Sequence, residues 1–301
     1  MNLTKYQALL KTVELGSITR AAEAMGYTQS ALSRAIADLE REWDLELLTR
    51  SRSGVALSSD GNVLLPAIRS LCNAAKMLEE QVAELHGMTR GTLRVGTFTS
   101  VSIHWLPGIM KVFLDRYPGI HFELVSSWEF AEIEDLIRRG EVDCGFLRVP
   151  AGEGLDTIPL RQDRLLAALP PDHPLAHAPC YPISRFTQEP YIRISEERDM
   201  EISRIFQEEG VRPNLQYNVN DDFAILAMVE QGLCVSIMPE LVLRDSNRRF
   251  SAIPLDHPRF REIGLAVRSG KAPSPLTSHF LSCVQELVAQ MDPDILCLQP
   301  V

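Results

Sequence analysis

The sequence lacks the features of membrane, secreted and disulfide-linked proteins. Its longest uninterrupted apolar run, Phe223 to Val229, has seven residues, far fewer than the roughly 18–20 that a membrane span requires. The first residues contain no apolar stretch of the kind found in signal peptides. The six cysteines are scattered and form no C-x-x-C pair, which favours reduced thiols. These absences predict a soluble, cytoplasmic protein that does not contact a membrane.

The short motifs of common catalytic and cofactor sites are absent as well. The sequence contains no G-x-x-x-x-G-K-[ST], G-x-S-x-G, H-E-x-x-H or G-x-G-x-x-G pattern. His173 and His177 have a helical spacing, but Pro174 and Pro179 oppose a regular helix there. We therefore expect no enzymatic activity, no cofactor and no metal site.

The composition that remains is that of a globular protein with more than one domain. The 301 residues are 45% apolar and 23% charged, enough for two or three domains. The net charge of −10 by itself opposes nucleic-acid binding. However, a local basic edge on an acidic protein can still bind phosphate. Bulk charge therefore does not exclude a DNA-binding role.

The N-terminal segment has the pattern of a helix-turn-helix. Apolar periodicity and capping residues predict three helices, over 3–15, 18–25 and 29–43. A small Ala22, a turn residue Gly26 and an apolar Leu32 have the spacing that lets two such helices cross closely. An ordinary αα-corner without a DNA-binding role is the alternative interpretation.

The third helix begins with residues suited to reading DNA. Glutamine suits adenine, arginine suits guanine, and serine is adaptable. Two short strands around a basic tip follow within 47–57 and predict a wing; an ordinary solvated hairpin is the alternative. The predicted DNA-binding residues are Thr28, Gln29, Ser30, Ser33, Arg34, Arg50 and Arg52. The opposite face of the helix is predicted to be buried, with Ala31, Leu32, Ala35, Ile36 and Leu39.

A long helix is predicted over residues 59–87. Its apolar residues alternate at spacings of four and three, which is a heptad seam. A core helix of a globular domain usually shows a wider stripe, so we expect this seam to pack against a partner chain. The predicted dimerisation residues are Leu64, Ile68, Leu71, Ala75, Leu78, Val82 and Leu85.

The remaining residues alternate between strand and helix patterns, which predicts parallel α/β sheets in two subdomains. Hydroxyl residues at 97–102 lie between the first strand and the first helix, where free backbone N–H groups can hold a small anion; simple helix capping is the alternative. Arg148 could neutralise an anionic ligand, and the alternative for it is an ion pair at a hinge. Trp128 could stack on a ligand, and the alternative for it is packing within its subdomain. The candidate residues for binding a small ligand are Thr99, Ser100, Ser102, Ser127, Trp128, Phe146, Arg148, Ser195, Asn220 and Asp221.

The segment LLKTVELGSITRAAEAMGYTQSALSRAIADLE, followed by LLTRSRSGVALSSDG and the long helix, resembles the LysR-type transcriptional regulators. The likeness covers the chain in length and layout. It departs where the family often has a Leu-Gly turn, here Trp43-Asp44, and aspartate tolerates the left-handed conformation expected there. It also departs at Ser58-Ser59-Asp60-Gly61, where Thr-Glu-Ala-Gly is common.

The resemblance implies a fold of the α/β class with an N-terminal all-α winged helix-turn-helix. The implied domains are a DNA-binding domain at 1–58, a linker helix at 59–88 and an effector-binding domain at 91–301. The last would have two periplasmic-binding-protein-like lobes, about 91–161 with 267–301 and about 162–266, joined by crossover strands near 161–164 and 264–268.

The resemblance further implies a bacterial DNA-binding regulator controlled by a small anionic effector between the lobes, and it makes the ligand-binding candidates between Thr99 and Asp221 the predicted effector-binding residues. Its partners would be double-stranded promoter or operator DNA, the effector, further copies of itself in a homodimer or homotetramer, and RNA polymerase. Peroxide-sensing members use a close cysteine pair, whereas Cys144, Cys180 and Cys234 could meet only through folding. A solute-binding protein and a two-lobed enzyme are rival interpretations. The first leaves residues 1–90 unexplained, and the second lacks a recognisable nucleophile with its base.

Overall fold

The computed structural model describes residues 3–51, 54–85, 90–194 and 200–291. The chain divides into two compact units, Met1–Met88 and Thr89–Val301. Within the described ranges, no helix combines the length and hydropathy needed to cross a bilayer.

The first unit begins with three helices whose bounds agree with the prediction: α1 (Leu3–Leu15), α2 (Ile18–Met25) and α3 (Gln29–Trp43). Ser17 caps α2 by accepting a hydrogen bond from the Arg20 N–H at 3.3 Å. Gly26 ends α2 in the left-handed region with φ of 71°, and Asp44 ends α3 there with φ of 55°. Local capping therefore fixes the helix-turn-helix that the sequence predicts.

The predicted wing follows as the antiparallel strands β1 (Leu48–Ser51) and β2 (Gly54–Leu57). Glu40 of α3 fastens this hairpin, because its carboxylate accepts hydrogen bonds from the backbone N–H groups of Leu47 and Leu48 at 2.8 and 3.1 Å. The wing is thus anchored to the third helix. The Arg50 backbone lies in β1, and Arg52 lies outside the described residues.

The long helix α4 (Ser59–Leu85) completes the first unit. The Ser58 hydroxyl accepts a hydrogen bond from the Gly61 N–H at 2.9 Å, so the start of α4 is capped by a hydroxyl group. Gly61 passes so close to the wing that an added Cβ would lie 2.2 Å from the Leu47 carbonyl oxygen. A glycine at this position is what allows α4 to pack against the winged helix.

The second unit opens with the first-lobe elements β3 (Arg90–Thr97), α5 (Thr99–His104), α6 (Leu106–Arg116), β4 (Gly119–Ser126), α7 (Phe130–Arg139) and β5 (Cys144–Val149). It continues with β6 (Leu155–Leu169), a 3₁₀ helix Ile183–Thr187, β7 (Tyr191–Arg193), α8 (Met200–Glu208), β8 (Leu215–Asn218), α9 (Asp222–Glu230), β9 (Ser236–Pro239), α10 (Glu240–Leu243), β10 (Ser251–Arg268) and α11 (Pro275–Gln290). Residues 99–104, expected within a connecting loop, form the separate helix α5.

The sheet of the second unit is mixed, which corrects the prediction of parallel sheets. Its strand order is β4-β3-β5-β10-β6-β9. The pairs of β3 with β4 and with β5 are parallel, whereas β10 runs antiparallel to both β5 and β6, and β6 runs antiparallel to β9. β7 and β8 form a separate parallel pair. The two long strands β6 and β10 leave and re-enter the first lobe side by side, and this return imposes the antiparallel pairing.

These two long strands join the lobes. Residues Glu262–Ala266 of β10 pair with β5 in the first lobe, so this strand crosses between lobes just before them, a few residues earlier than the predicted 264–268. Beyond the crossing, the residues of β6 from Leu165 to Leu169 alternate between two apolar cores of the second lobe. Burial on both faces explains the unbroken apolar run at the end of this strand.

Candidate DNA-binding surface and effector cleft

The predicted base-reading residues lie on the solvent side of α3. Gln29, Ser30 and Arg34 are exposed, and Ser33 is half-buried. The opposite face is buried in the core of the first unit through Leu32, Ile36 and Leu39. The helix therefore presents a polar N-terminal edge, which is the part of a recognition helix that meets base edges.

Thr28 and Ala31 lie at the start of α3, one as its cap and the other in its first turn. The Thr28 hydroxyl accepts a hydrogen bond from the Ala31 N–H at 3.2 Å and lies 3.2 Å from the Ser30 hydroxyl oxygen, so Thr28 is the N-cap of the helix. The prediction that Ala31 is buried is wrong. Ala31 is exposed because it lies on the solvent side of the first turn, whereas the next residue, Leu32, faces the core. On the solvent side, an alanine methyl can contact a thymine methyl.

The predicted dimerisation seam of α4 is divided. Ile68 is 4% exposed within the core of the first unit, and Leu64 and Leu71 pack against the same core. This part of the seam packs within its own unit, which corrects the expectation for Ile68. Farther along the helix, Leu78 and Val82 are 62% and 46% exposed. The exposed part of the seam therefore lies toward the C-terminal end of α4.

A cleft separates the two lobes of the second unit. Its empty space amounts to about 640 Å³ when the part open to solvent at its mouth is included. Phe98, Thr99 and Ser100 contribute the first-lobe side, together with Phe130. The second-lobe side is mostly apolar and contributes carboxylates from α8 and α9, Glu201 and Asp222.

A buried ion pair lies where the strands cross between the lobes. Arg261 of β10 pairs with Asp163 of β6: its Nε and Nη2 atoms lie 2.8 and 2.7 Å from the Asp163 Oδ2 atom. The Arg261 Nη2 group also donates to the Ser100 hydroxyl oxygen at 3.0 Å. The Asp163 Oδ1 atom accepts from the Leu241 N–H at 3.0 Å. The pair thus links both crossing strands to α5 and α10.

A second ion pair spans the cleft from β5 to α8. The Arg148 Nε atom lies 3.6 Å from the Glu201 Oε1 atom, and the guanidinium lies 5.8 Å from the Phe130 ring centroid. Phe130 packs edge-on against Phe98, over which Arg261 lies at 5.4 Å. Burial raises the pKa of the Glu201 carboxyl, although Arg148 and Arg261 oppose this shift. Arg148 therefore makes the ion pair that was its alternative interpretation.

Two of the predicted effector-binding residues, Thr99 and Ser100, line the cleft. The Ser102 hydroxyl is instead within 3.1 Å of the Thr97 hydroxyl oxygen. Asp221 caps α9 through hydrogen bonds from the Phe223 and Ala224 N–H groups. The exposed residues Trp128 and Asn220 are not among the cleft-lining residues, and Ser195 lies outside the described part of the chain.

The expectations for Phe146 and Ser127 are wrong. Phe146 is fully buried in the core of the first lobe, because both faces of β5 are covered. Ser127 is buried just before α7, where its hydroxyl accepts from the Glu129 N–H and donates to the Glu132 carboxylate. Position at a strand end is therefore an insufficient guide to which side chains reach a cleft.

Sequence reasoning missed most of the cleft residues, among them Phe98, Glu201 and Arg261. Of these three, only Arg261 could have been found from the sequence. It precedes the apolar part of one strand, and the oppositely charged Asp163 precedes the apolar part of another. Charges at such positions are buried as pairs when the two strands become neighbours. Phe98 and Glu201 have no comparable signal in the sequence.

The described cysteines are free thiols. Cys144 and Cys234 lie in the separate cores of the two lobes, and burial raises the pKa of Cys234 to about 11. Burial also raises the pKa values of Cys72 and Cys283. Thiols with raised pKa values react poorly because the thiolate is the reactive form. The redox alternative therefore gains no support from these residues.

A winged helix followed by a two-lobed α/β unit with a cleft between its lobes is the architecture of a ligand-responsive DNA-binding regulator. The model of the bacterial regulatory helix-turn-helix proteins of the lysR family matches residues 3–62, and that of the LysR substrate binding domain matches residues 86–289. The HTH-type transcriptional regulator YvbU of Bacillus subtilis is 27% identical over 290 residues, which are 95% of this chain and 99% of YvbU.

Three solved structures show the same fold. Full-length OxyR C199D from Pseudomonas aeruginosa has a TM-score of 0.77 at 20% identity, over 96% of this chain and 94% of that one. Full-length CbnR in complex with its target DNA has a TM-score of 0.66 at 22% identity, over 95% of this chain and 99% of that one. The Synechocystis CcmR regulatory domain in complex with 2-PG has a TM-score of 0.62 at 22% identity, over 67% of this chain and 99% of that one.

This chain belongs to the LysR family of transcriptional regulators, with a helix-turn-helix DNA-binding domain and an effector-binding domain. Its relatives are transcriptional regulators, which gives the chain a regulatory role and not an enzymatic one.

Proposed function

We propose that this protein is a cytoplasmic regulator that binds operator DNA as a homodimer or homotetramer. Its DNA binding is controlled by an effector that binds in the cleft. The proposed domains are 1–58 for DNA binding, 59–88 as linker and 91–301 for effector binding. Closure of the lobes would change the arrangement of subunits on DNA, and so the access of RNA polymerase, by shifting a population between two states. The exposed polar edge of α3 is the observation that carries the DNA-binding part.

Arg34 is the residue proposed to read a base. It is exposed on the outer face of α3, and arginine binds guanine through two hydrogen bonds worth about 1–3 kcal/mol of discrimination. We expect Arg34→Ala to lose about this much affinity on a DNA site selected with the wild type, and to accept other bases at one position. Selection from a random duplex pool followed by titration measures both effects. An equal loss on random DNA would show that Arg34 contacts only phosphate.

The proposed effector is a small anion, taken up near Arg148 and Arg261. The carboxyl of Glu201, which holds Arg148 across the cleft, has a raised pKa because it is buried. A carboxylate whose charged form is disfavoured is displaced more easily by the anionic group of a ligand. The CcmR regulatory domain, which shares this fold, forms a complex with 2-PG, and this supports a ligand-binding role for the second unit.

A thermal-shift screen of the full chain against carboxylic, aromatic and phosphorylated acids tests the effector. A ligand at about 100 times its dissociation constant stabilises the native state by about 2.7 kcal/mol, which corresponds to roughly 5–10 °C for a domain of this size. The shift should shrink in Thr99→Val, because Thr99 lines the cleft, and persist in Ser102→Ala, because Ser102 does not. A hit that both variants retain would place the effector elsewhere.

A further inference from the structure

The five basic side chains of α1, α2 and α3 fall into two groups. Lys5 pairs with Glu42 at 3.2 Å, Lys11 with Glu14 at 2.9 Å, and Arg41 with Asp38 at 2.9 Å. A cation that already has a carboxylate partner contributes less to phosphate binding, because the pair must be broken or shared. Three of these five cations are therefore partly neutralised within the unit.

Arg20 and Arg34 form the other group. Both are exposed, and among the described residues of the first unit neither side chain has an ion pair or a hydrogen bond. Arg34 lies on the recognition helix and is already assigned to a base. Arg20 lies in the first turn of α2 and has no assigned role. Glu23 follows it by three residues on the same helix, yet it forms no ion pair with Arg20.

We propose that Arg20 is a phosphate-binding residue that positions the recognition helix on DNA. The inference rests on the DNA-binding role of the first unit. In a helix-turn-helix, the helix that precedes the recognition helix crosses the phosphate backbone. The N-terminus of α2, capped by Ser17, adds the partial positive charge of a helix start to that of Arg20. Tyr27, which follows the C-terminal end of α2 and precedes Thr28, is 49% exposed, so its phenol group is accessible to solvent.

Phosphate binding by Arg20 predicts a specific dependence on salt. The full-length protein is titrated against a fluorescent 30-base-pair duplex of random sequence between 50 and 200 mM KCl. We expect Arg20→Gln to weaken binding to the same extent on random DNA and on a selected site. The slope of log K against log salt should fall by about 0.9 for each phosphate that the variant no longer neutralises, without any change in base preference.

Arg41→Gln is the matched control, because it removes the same charge from a side chain that is 75% exposed but paired with Asp38. It should leave the salt slope unchanged. Equal slopes for both variants, or a wild-type slope in Arg20→Gln, would refute phosphate binding by Arg20. If Arg20 only stabilises α2 through Glu23, then Arg20→Gln and Glu23→Gln should lower the melting temperature alike with DNA binding intact. A wild-type chain that binds neither duplex would overturn the DNA-binding role together with this inference.

Discussion

Replacing Asp163 by alanine is expected to lower the free energy of unfolding of the second unit by about 3–5 kcal/mol, the usual cost of leaving a buried charge unpaired. Asp163 and Arg261 are 4% and 8% exposed in their side chains, and each also makes a hydrogen bond to a third group. Loss of the aspartate would leave the guanidinium desolvated without a counter-charge. Urea unfolding followed by circular dichroism measures the change.

The double variant Asp163→Ala with Arg261→Met separates the charge from the packing. Apolar replacement of both partners of a buried ion pair is often close to neutral in stability, so the double variant should recover most of the loss. A loss below about 1 kcal/mol in Asp163→Ala is what an exposed ion pair would give, and it would contradict the buried pair. A double variant as unstable as the single one would show that the Leu241 hydrogen bond dominates.

Lysine at both Leu78 and Val82 is expected to dissociate the proposed dimer and to lower the affinity for an operator with two half-sites by about 100- to 10,000-fold, the gain that linked binding usually provides. Both residues lie on the exposed part of the α4 seam, so charge there acts on association and leaves the fold of the unit intact. Sedimentation analysis gives the mass, and titration of the selected operator gives the affinity.

Val63→Lys is the control for this variant. Val63 is 77% exposed on the same helix but lies off the 4-3 spacing, so it should leave mass and affinity unchanged. Leu71 is a poor choice for the test because it packs against the core of its own unit. An unchanged mass in the Leu78 and Val82 variant would remove the seam as the basis of dimerisation.

The sequence predicts the first unit well because its signals are local. Both ends of α2 and the start of α3 follow from Ser17, Gly26 and Thr28, which act within a few residues of themselves. The burial of Ile68 could not be read in the same way. A seam of this spacing is compatible with a partner chain or with the same chain, and only the packing of α4 on the winged helix distinguishes the two.

In the second unit, the pattern predicts which segments are strands but not their direction. Strand direction depends on connections of many residues, and the return of β10 beside β6 has no local signal. The same limit applies to the cleft. Thr99 and Ser100 are predicted from a strand followed by hydroxyl residues, whereas Arg261 reaches the cleft only because β10 lies next to β6, about a hundred residues earlier in the chain.

The pairing of β6 with β10 has a mechanical consequence. One two-stranded ribbon runs through both lobes, with register from Leu155 opposite Arg268 to Leu169 opposite Ser251. Covalent and hydrogen-bonded continuity prevents the lobes from sliding past each other, so their relative motion is confined to bending and twisting of the ribbon. Its register shifts between Pro254 and Arg259 and between Ile263 and Gly264, and such irregularities bend a strand and increase its twist. The Asp163–Arg261 pair lies between these two irregularities. An effector that touches Arg261 would therefore act on the segment of the ribbon that bends and twists.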